Sequence, residues 1–316
     1  MLMAHATQRQ ESLRSTVRRF EYITTLLGPP LLAALCGCTP AIGDVSRPTT
    51  VIRVEGSDTM VNVAEAWAER YHGDRPTISI QVLGGGSGVG IASLTDGNCD
   101  LADSSRDVTP KEIDAISKKR GEAPMEHIVG RDALAVYVHP GNPLDSISLE
   151  ELADIFGEGG KTVRWSQLGI DHRSHGRDTI IRVGRQNSSG TYAYFREAVL
   201  GKKRDFKLGS IDRSGSKDVV ALISRTPLAI GYSGMGYATP GVKMLKVARH
   251  KGGPAIAPTV ENAKKRKGGY PITRPLLLYT AGEPKDKAKQ LLDWILDKPG
   301  QKVVVELGYV PVGSYE

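Results

Sequence analysis

Three times in this chain a short β-like run ends in a cluster of glycine and hydroxyl residues, and a helical pattern follows. The fullest case is Arg185-Gln186-Asn187-Ser188-Ser189-Gly190-Thr191, after a strand pattern over residues 180–183 and before a helical one over 192–200. A second, Val54-Glu55-Gly56-Ser57-Asp58-Thr59-Met60, lies between a strand over 51–54 and a helix over 61–71 with its apolar face at Val63, Ala66, Trp67 and Tyr71. The third, Val82-Leu83-Gly84-Gly85-Gly86-Ser87-Gly88-Val89-Gly90, separates a strand over 77–82 from a helix over 91–94. A helix N-terminus carries unpaired N–H groups and partial positive charge, so each junction favours an anion. Glycine lets the backbone approach a ligand and adopt positive φ. Arg185 adds a planar fork that can grip two oxygens of one oxyanion. A single Ser or Thr ahead of a helix is as readily an N-cap. Recurrence is what points to one shared site.

The glycine-rich run matches no catalytic or nucleotide motif. It lacks the Gly-Lys-Ser/Thr ending of a phosphate loop. A nucleophile elbow needs glycine two residues after the serine, and Val89 stands there. A dinucleotide fingerprint starting at Gly86 places Ile91 where its last glycine belongs.

Strand and helix patterns alternate along the chain. Further strands are expected at 101–102 and 133–138, and further helices at 110–120 and 149–156, the last capped by Ser148 with Glu150 and Glu151 in its first turn. Such alternation predicts parallel sheets with helices on both faces. Ligands of such sheets sit beyond the carboxyl ends of strands, where all three clusters fall. Two apolar runs, Arg131-Asp132-Ala133-Leu134-Ala135-Val136-Tyr137-Val138 and Thr273-Arg274-Pro275-Leu276-Leu277-Leu278-Tyr279-Thr280, read as fully buried strands. They bracket a region with strands and helices of its own, including Leu228-Ala229-Ile230-Gly231-Tyr232. The expected layout is discontinuous: domain 1 from 51–138 and 275–316, domain 2 from 139–274, and two connecting segments forming a hinge.

The N-terminus reads as an export signal. Arg14, Arg18 and Arg19 precede an apolar stretch over 23–35, too short for an ordinary membrane span and interrupted by Pro29-Pro30. It ends in Leu35-Cys36-Gly37-Cys38, which resembles a bacterial lipobox with Cys38 as the lipidated residue; cleavage before Cys36 is the alternative. Arg18-Arg19-Phe20 hints at a twin-arginine signal, from which Glu21 departs. Residues 1–37 are then a signal peptide and 38–50 a tether. Cys99 remains as a single thiol that reads as buried, leaving no internal disulfide. The net charge of +7 suits anionic ligands, but only Lys264-Lys265-Arg266-Lys267 forms a basic run, and aromatic content is 6%, so nucleic acid is not an expected partner. His172 and His175 share a polar loop and read as exposed, so no metal or other cofactor is expected.

Taken in order, these segments resemble the phosphate-binding proteins of bacterial phosphate ABC transporters, PstS-like members of the type II periplasmic binding proteins. The resemblance runs from about residue 50 to 316. It adds Asp100-Leu101-Ala102-Asp103-Ser104-Ser105-Arg106, Leu149 to Phe156 with Trp165, Ala229-Ile230-Gly231-Tyr232 and Leu307-Gly308-Tyr309-Val310-Pro311-Val312 to the three clusters. It implies two α/β domains closing on a dehydrated oxyanion in the cleft between them. Carried over by position, Ser57, Asp58 and Thr59 come from the first loop, Ser87 and Gly88 from the glycine-rich loop, Ser105 from the third, and Arg185, Ser189, Gly190 and Thr191 from the second domain. Some members carry an aspartate at the position of Ser105 to accept the phosphate proton. Asp58 is the first substitute here and Asp103 the second. The resemblance further implies a monomeric, extracytoplasmic lipoprotein without catalysis or cofactor, whose partners are inorganic phosphate and permease subunits. A receptor for sulfate, molybdate or tungstate, or a phosphate sensor without a transporter, is the alternative.

Overall fold

Strand and helix alternate from Thr50 onward in the computed structural model, which describes residues 50–171, 176, 178–265 and 267–313. The lipobox, nearly all of the tether, the His172/His175 pair and Arg266 of the basic run lie outside the described residues. In chain order come β1 (Thr50–Gly56), α1 (Val61–Asp74), β2 (Ile78–Leu83), α2 (Ser87–Asp96), β3 (Leu101–Ser104), α3 (Pro110–Arg120), β4 (Pro124–Val138), β5 (Ser146–Ser148) and α4 (Leu149–Phe156). There follow β6 (Ile181–Arg185), α5 (Gly190–Phe195), β7 (Ile211–Arg213), α6 (Ser216–Ser224), β8 (Ala229–Gly234), β9 (Lys243–Met244), β10 (Lys246–Ala248), β11 (Ala255–Ile256), α7 (Val260–Lys264), β12 (Thr273–Ala281), α8 (Asp286–Leu296) and α9 (Lys298–Glu306). Local chemistry sets several boundaries. Thr109 and Glu112 form a capping box with Pro110 opening α3, and Ser148 and Glu151 do the same for α4.

Among the described residues the main sheet runs β2-β1-β3-β12-β4-β8-β6-β7, with β9 also paired to β4. The β1/β2, β1/β3, β6/β8 and β6/β7 pairs are parallel, as the alternation predicts. The centre differs: β12 is antiparallel to both β3 and β4, and β4 is antiparallel to β8. The sheet is therefore mixed. Hydrophobic patterning marks β4 and β12 as buried but carries no strand direction. The first half of β4 pairs with β12 and its second half with β8, so this strand joins the two halves of the sheet. At 124–138 it is also longer than the run over 133–138 that its apolar residues mark.

The core divides along the same line. Ile52, Val54, Trp67, Leu101, Val129, Leu276 and Ile295 belong to one hydrophobic cluster, and Ala133 to Val138, Trp165, Phe195 and Tyr232 to another. β4 passes from the first to the second between Val129 and Ala133, and in that interval it carries Arg131 and Asp132. Two helices differ from expectation. α2 starts at Ser87, not near residue 91, and carries Gly90 against β1, where a Cβ would sit 2.1 Å from the Glu55 carbonyl oxygen. α5 ends at Phe195 and gives way to a π turn over Arg196–Leu200. No helix of the described residues is long and apolar enough to cross a membrane.

Candidate functional site

The three Ser/Gly/Thr clusters meet. The loop after β1 turns at Gly56, where a φ of +146° and the Asp103 carbonyl oxygen, 2.2 Å from where a Cβ would stand, exclude any side chain. It then presents Ser57, Asp58 and Thr59 ahead of α1. The second cluster starts α2 at Ser87, and the third starts α5 at Gly190 after an N-cap by Ser189, whose Oγ accepts from the Thr191 N–H. Ser57, Thr59, Ser87, Ser105, Ser189 and Thr191 are all buried. Ser57 Oγ donates to Ser105 Oγ (2.8 Å), and the Ser105 N–H donates to Ser87 Oγ (3.1 Å). Thr59 Oγ1 and Thr191 Oγ1 lie 2.8 Å apart, joining residues 132 positions distant in the chain. Gly190 fits between the serines, since a Cβ there would come within 2.3 Å of Ser87 Oγ and 2.5 Å of Ser105 Oγ. Gly88 is half-buried at the rim and donates its N–H to the Ser188 carbonyl (3.1 Å).

Arg185 is buried and makes four hydrogen bonds: Nε to the Arg213 carbonyl, Nη1 to Ser216 Oγ (3.0 Å), and Nη2 to the Ser214 carbonyl and to Asp58 Oδ2 (both 2.7 Å). Burial pushes its pKa down, and the Asp58 carboxylate acts against that shift. Asp58 is thereby occupied. Its Oδ1 accepts from the Gly85 N–H at 2.9 Å and its Oδ2 holds Arg185. Asp58, the first candidate acceptor for a ligand proton, thus also serves as the partner of the arginine.

Asp103 lies under the first loop. Its Oδ1 accepts from the Ser57 N–H at 2.6 Å, while its Oδ2 is buried with no protein partner. Burial raises its pKa to about 8; the Ser57 N–H opposes that rise, and the charges of Asp58 and Glu55 add to it. Cys99 is a buried free thiol whose pKa burial pushes up to about 12.

Sequence reasoning missed a second guanidinium. Arg274, at the start of β12, is fully buried and paired with Asp132 on β4, its direct cross-strand neighbour. Nε (3.2 Å) and Nη2 (2.9 Å) both reach Asp132 Oδ2. Nη2 also reaches Thr59 Oγ1, and Nη1 reaches Thr191 Oγ1, each at 3.0 Å. The signal was present: a buried charge must be paired, so an arginine and an aspartate inside two otherwise apolar runs were candidates for each other. Two tyrosines were likewise unforeseen. Tyr237 Oη donates to the Asp58 carbonyl (2.6 Å) and Tyr309 Oη to the Thr59 carbonyl (2.9 Å), fixing the first loop from outside. Seen together, these groups form a buried, donor-rich cluster fed by strand ends from both halves of a mixed α/β sheet, the design of an anion-binding protein.

Comparison with known proteins agrees. A family model described as the PBP superfamily domain matches residues 44–299. The phosphate-binding protein PstS of Pseudomonas aeruginosa is 33% identical over 293 residues, covering 89% of this chain and 90% of that protein. The Bacillus subtilis protein of the same name is 33% identical over 264 residues, covering 83% and 80%. A Clostridium perfringens crystal structure with bound phosphate, assigned as a phosphate ABC transporter substrate-binding protein, superimposes with a TM-score of 0.72 at 28% identity, over 83% of this chain and 100% of that one. The chain belongs to the periplasmic binding protein superfamily and, within it, to the PstS family of substrate-binding proteins.

Proposed function

We propose that this chain captures inorganic phosphate in a cleft between two α/β lobes and delivers it to the permease of an ABC transporter. The observation that carries the reading is the convergence of six buried hydroxyl residues and two buried guanidinium groups on one site. Ser57, Asp58, Thr59, Ser87, Gly88, Ser105, Arg185, Ser189, Gly190 and Thr191 are the proposed phosphate-binding residues, with Asp58 also holding Arg185 in place. Desolvated donors of this kind suit a small tetrahedral oxyanion, because each buried N–H and O–H needs an acceptor. The relatives named above are phosphate-binding proteins, which supports phosphate over sulfate, molybdate or tungstate.

The lobes of the proposal are residues 51–138 with 275–316, and residues 139–274. Hinge segments lie near 138–142 and 270–275. Three hydrophobic clusters among the described residues, with β4 passing between two of them, support a two-lobe layout, and β4 makes that passage at 129–133, a few residues ahead of the 138–142 segment. The mature protein is read as a monomer held outside the cytoplasm by a lipid on Cys38, and as a carrier without catalysis. Calorimetric titration with phosphate, arsenate, sulfate and molybdate tests the central reading. Tight phosphate binding with little response to sulfate or molybdate supports it; no heat with phosphate refutes it. For the anchor, a Cys38→Ala precursor that still partitions with membranes and takes up labelled lipid would remove Cys38 as the acceptor.

A further inference from the structure

We propose that Arg274 is itself an anion-contacting residue, a second guanidinium that grips the same ligand as Arg185 from the strands joining the two lobes. The inference rests on the phosphate reading and adds a contact to it. Arg274 belongs to none of the loops that sequence reasoning assigns to the site. It stands where β12 and β4 cross from one hydrophobic cluster toward the other. Its fork reaches one hydroxyl from each side: Thr59, in the loop after β1, and Thr191, in the first turn of α5, each at 3.0 Å.

An arginine that only staples β12 to β4 would need just the edge that faces Asp132. Here Nε and Nη2 form that edge, and both reach Asp132 Oδ2. The opposite end of the fork is aimed away from the carboxylate, at the two threonines. Counting donors there shows a surplus. A guanidinium has five N–H groups, and the four hydrogen bonds of Arg274 leave one on Nη1. Each hydroxyl has a single proton, so in the 2.8 Å Thr59–Thr191 contact one donates to the other and the second proton remains. An oxyanion supplies the acceptors that this fully buried group lacks. Arg185 shows the same pattern, with four bonds and one Nη1 N–H to spare. The two cations also lie within electrostatic range, since the charge of Arg274 helps to push the Arg185 pKa down. A doubly charged anion between them offsets that repulsion, and each carboxylate partner, Asp58 and Asp132, holds its arginine in place.

The test is titration of the full mature chain with inorganic phosphate, in wild type, in the neutral pair Arg274→Gln with Asp132→Asn, and in Arg274→Lys. The neutral pair removes both charges together and so leaves no unpaired buried ion. It should fold, as judged by a cooperative ligand-free melt, and bind phosphate about thirtyfold more weakly. Arg274→Lys keeps the ion pair but loses the fork, and should weaken binding by about fivefold or more. If the neutral pair does not fold, Arg274→Lys decides. In protein with nitrogen-15 arginine, phosphate should shift the guanidinium signals of both Arg185 and Arg274, which a purely structural Arg274 would not show. Wild-type binding retained within threefold by the folded neutral pair, or by Arg274→Lys where that pair is unfolded, overturns the inference alone, as does a shift confined to Arg185. A wild-type protein indifferent to phosphate overturns the phosphate reading together with it.

Discussion

Gly190→Ala probes the contact by which the start of α5 packs against the loops bearing Ser87 and Ser105. Gly190 opens α5, where alanine is the better helix former by up to about 1 kcal/mol. Local propensity alone therefore predicts a neutral or stabilising change. The tertiary structure predicts the reverse for ligand binding. The new methyl carbon would stand 2.3 Å from Ser87 Oγ, 2.5 Å from Ser105 Oγ and 3.2 Å from the Ser105 carbonyl carbon. A carbon needs about 3.5 Å, so both serines must move by about 1 Å. Rotating the hydroxyls away relieves the first two contacts but breaks the Ser57–Ser105–Ser87 chain and leaves the backbone contact. Overpacking of this kind costs about 1–3 kcal/mol, which corresponds to about 5- to 150-fold in affinity. Under the proposed two-lobe layout the cost falls on the closed arrangement, in which α5 meets the loops bearing Ser87 and Ser105, and spares an open ligand-free one. Titration calorimetry with phosphate should therefore show at least about a tenfold weaker Kd, while the ligand-free Tm stays the same or rises. The Ser87→Ala/Gly190→Ala double variant should be better than additivity predicts, because the methyl then has room. Phosphate affinity within twofold of wild type in Gly190→Ala would refute the reasoning.

Three further outcomes are expected. Arg185→Ala removes a charge-assisted contact and strands Asp58, so phosphate affinity should fall by about tenfold or more in the same titration; near-native binding would move the site elsewhere. Asp103 has a folded pKa of about 8 against an ordinary 3.8, so the folded state keeps a proton that the unfolded chain has lost, and stability should decline as pH rises from about 4 to about 8 and level off above. Asp103→Asn should flatten that slope in denaturant melts at about pH 5 and about pH 8.5, whereas identical slopes in the two proteins would exclude Asp103 as its source. The Cys99 thiol, buried and pushed up to about 12, should resist alkylation in the native protein at neutral pH and react at once in denaturant; fast native labelling would contradict its burial.

Features that depend on near neighbours in the chain can be read from the residues alone. The strand–cluster–helix junctions at Ser57, Ser87 and Ser189–Gly190 are legible because capping, glycine geometry and apolar periodicity act over a few residues. The boundaries of α3 and α4 follow from Thr109/Glu112 and Ser148/Glu151 for the same reason. Periodicity also marked β4 and β12 as buried. Direction and pairing lie beyond its reach, because an apolar run looks the same whether its neighbour is parallel or antiparallel. Only the tertiary structure placed β12 antiparallel between β3 and β4, and so set Arg274 opposite Asp132. The same holds for the roles of the charges. Asp58 reads from sequence as a candidate proton acceptor beside Thr59, and in the fold it also meets Arg185 across 127 residues of chain. Arg274 reaches Thr59 and Thr191 from 215 and 83 positions away. Electrostatic partners are chosen by distance in space, and local sequence carries no record of that distance.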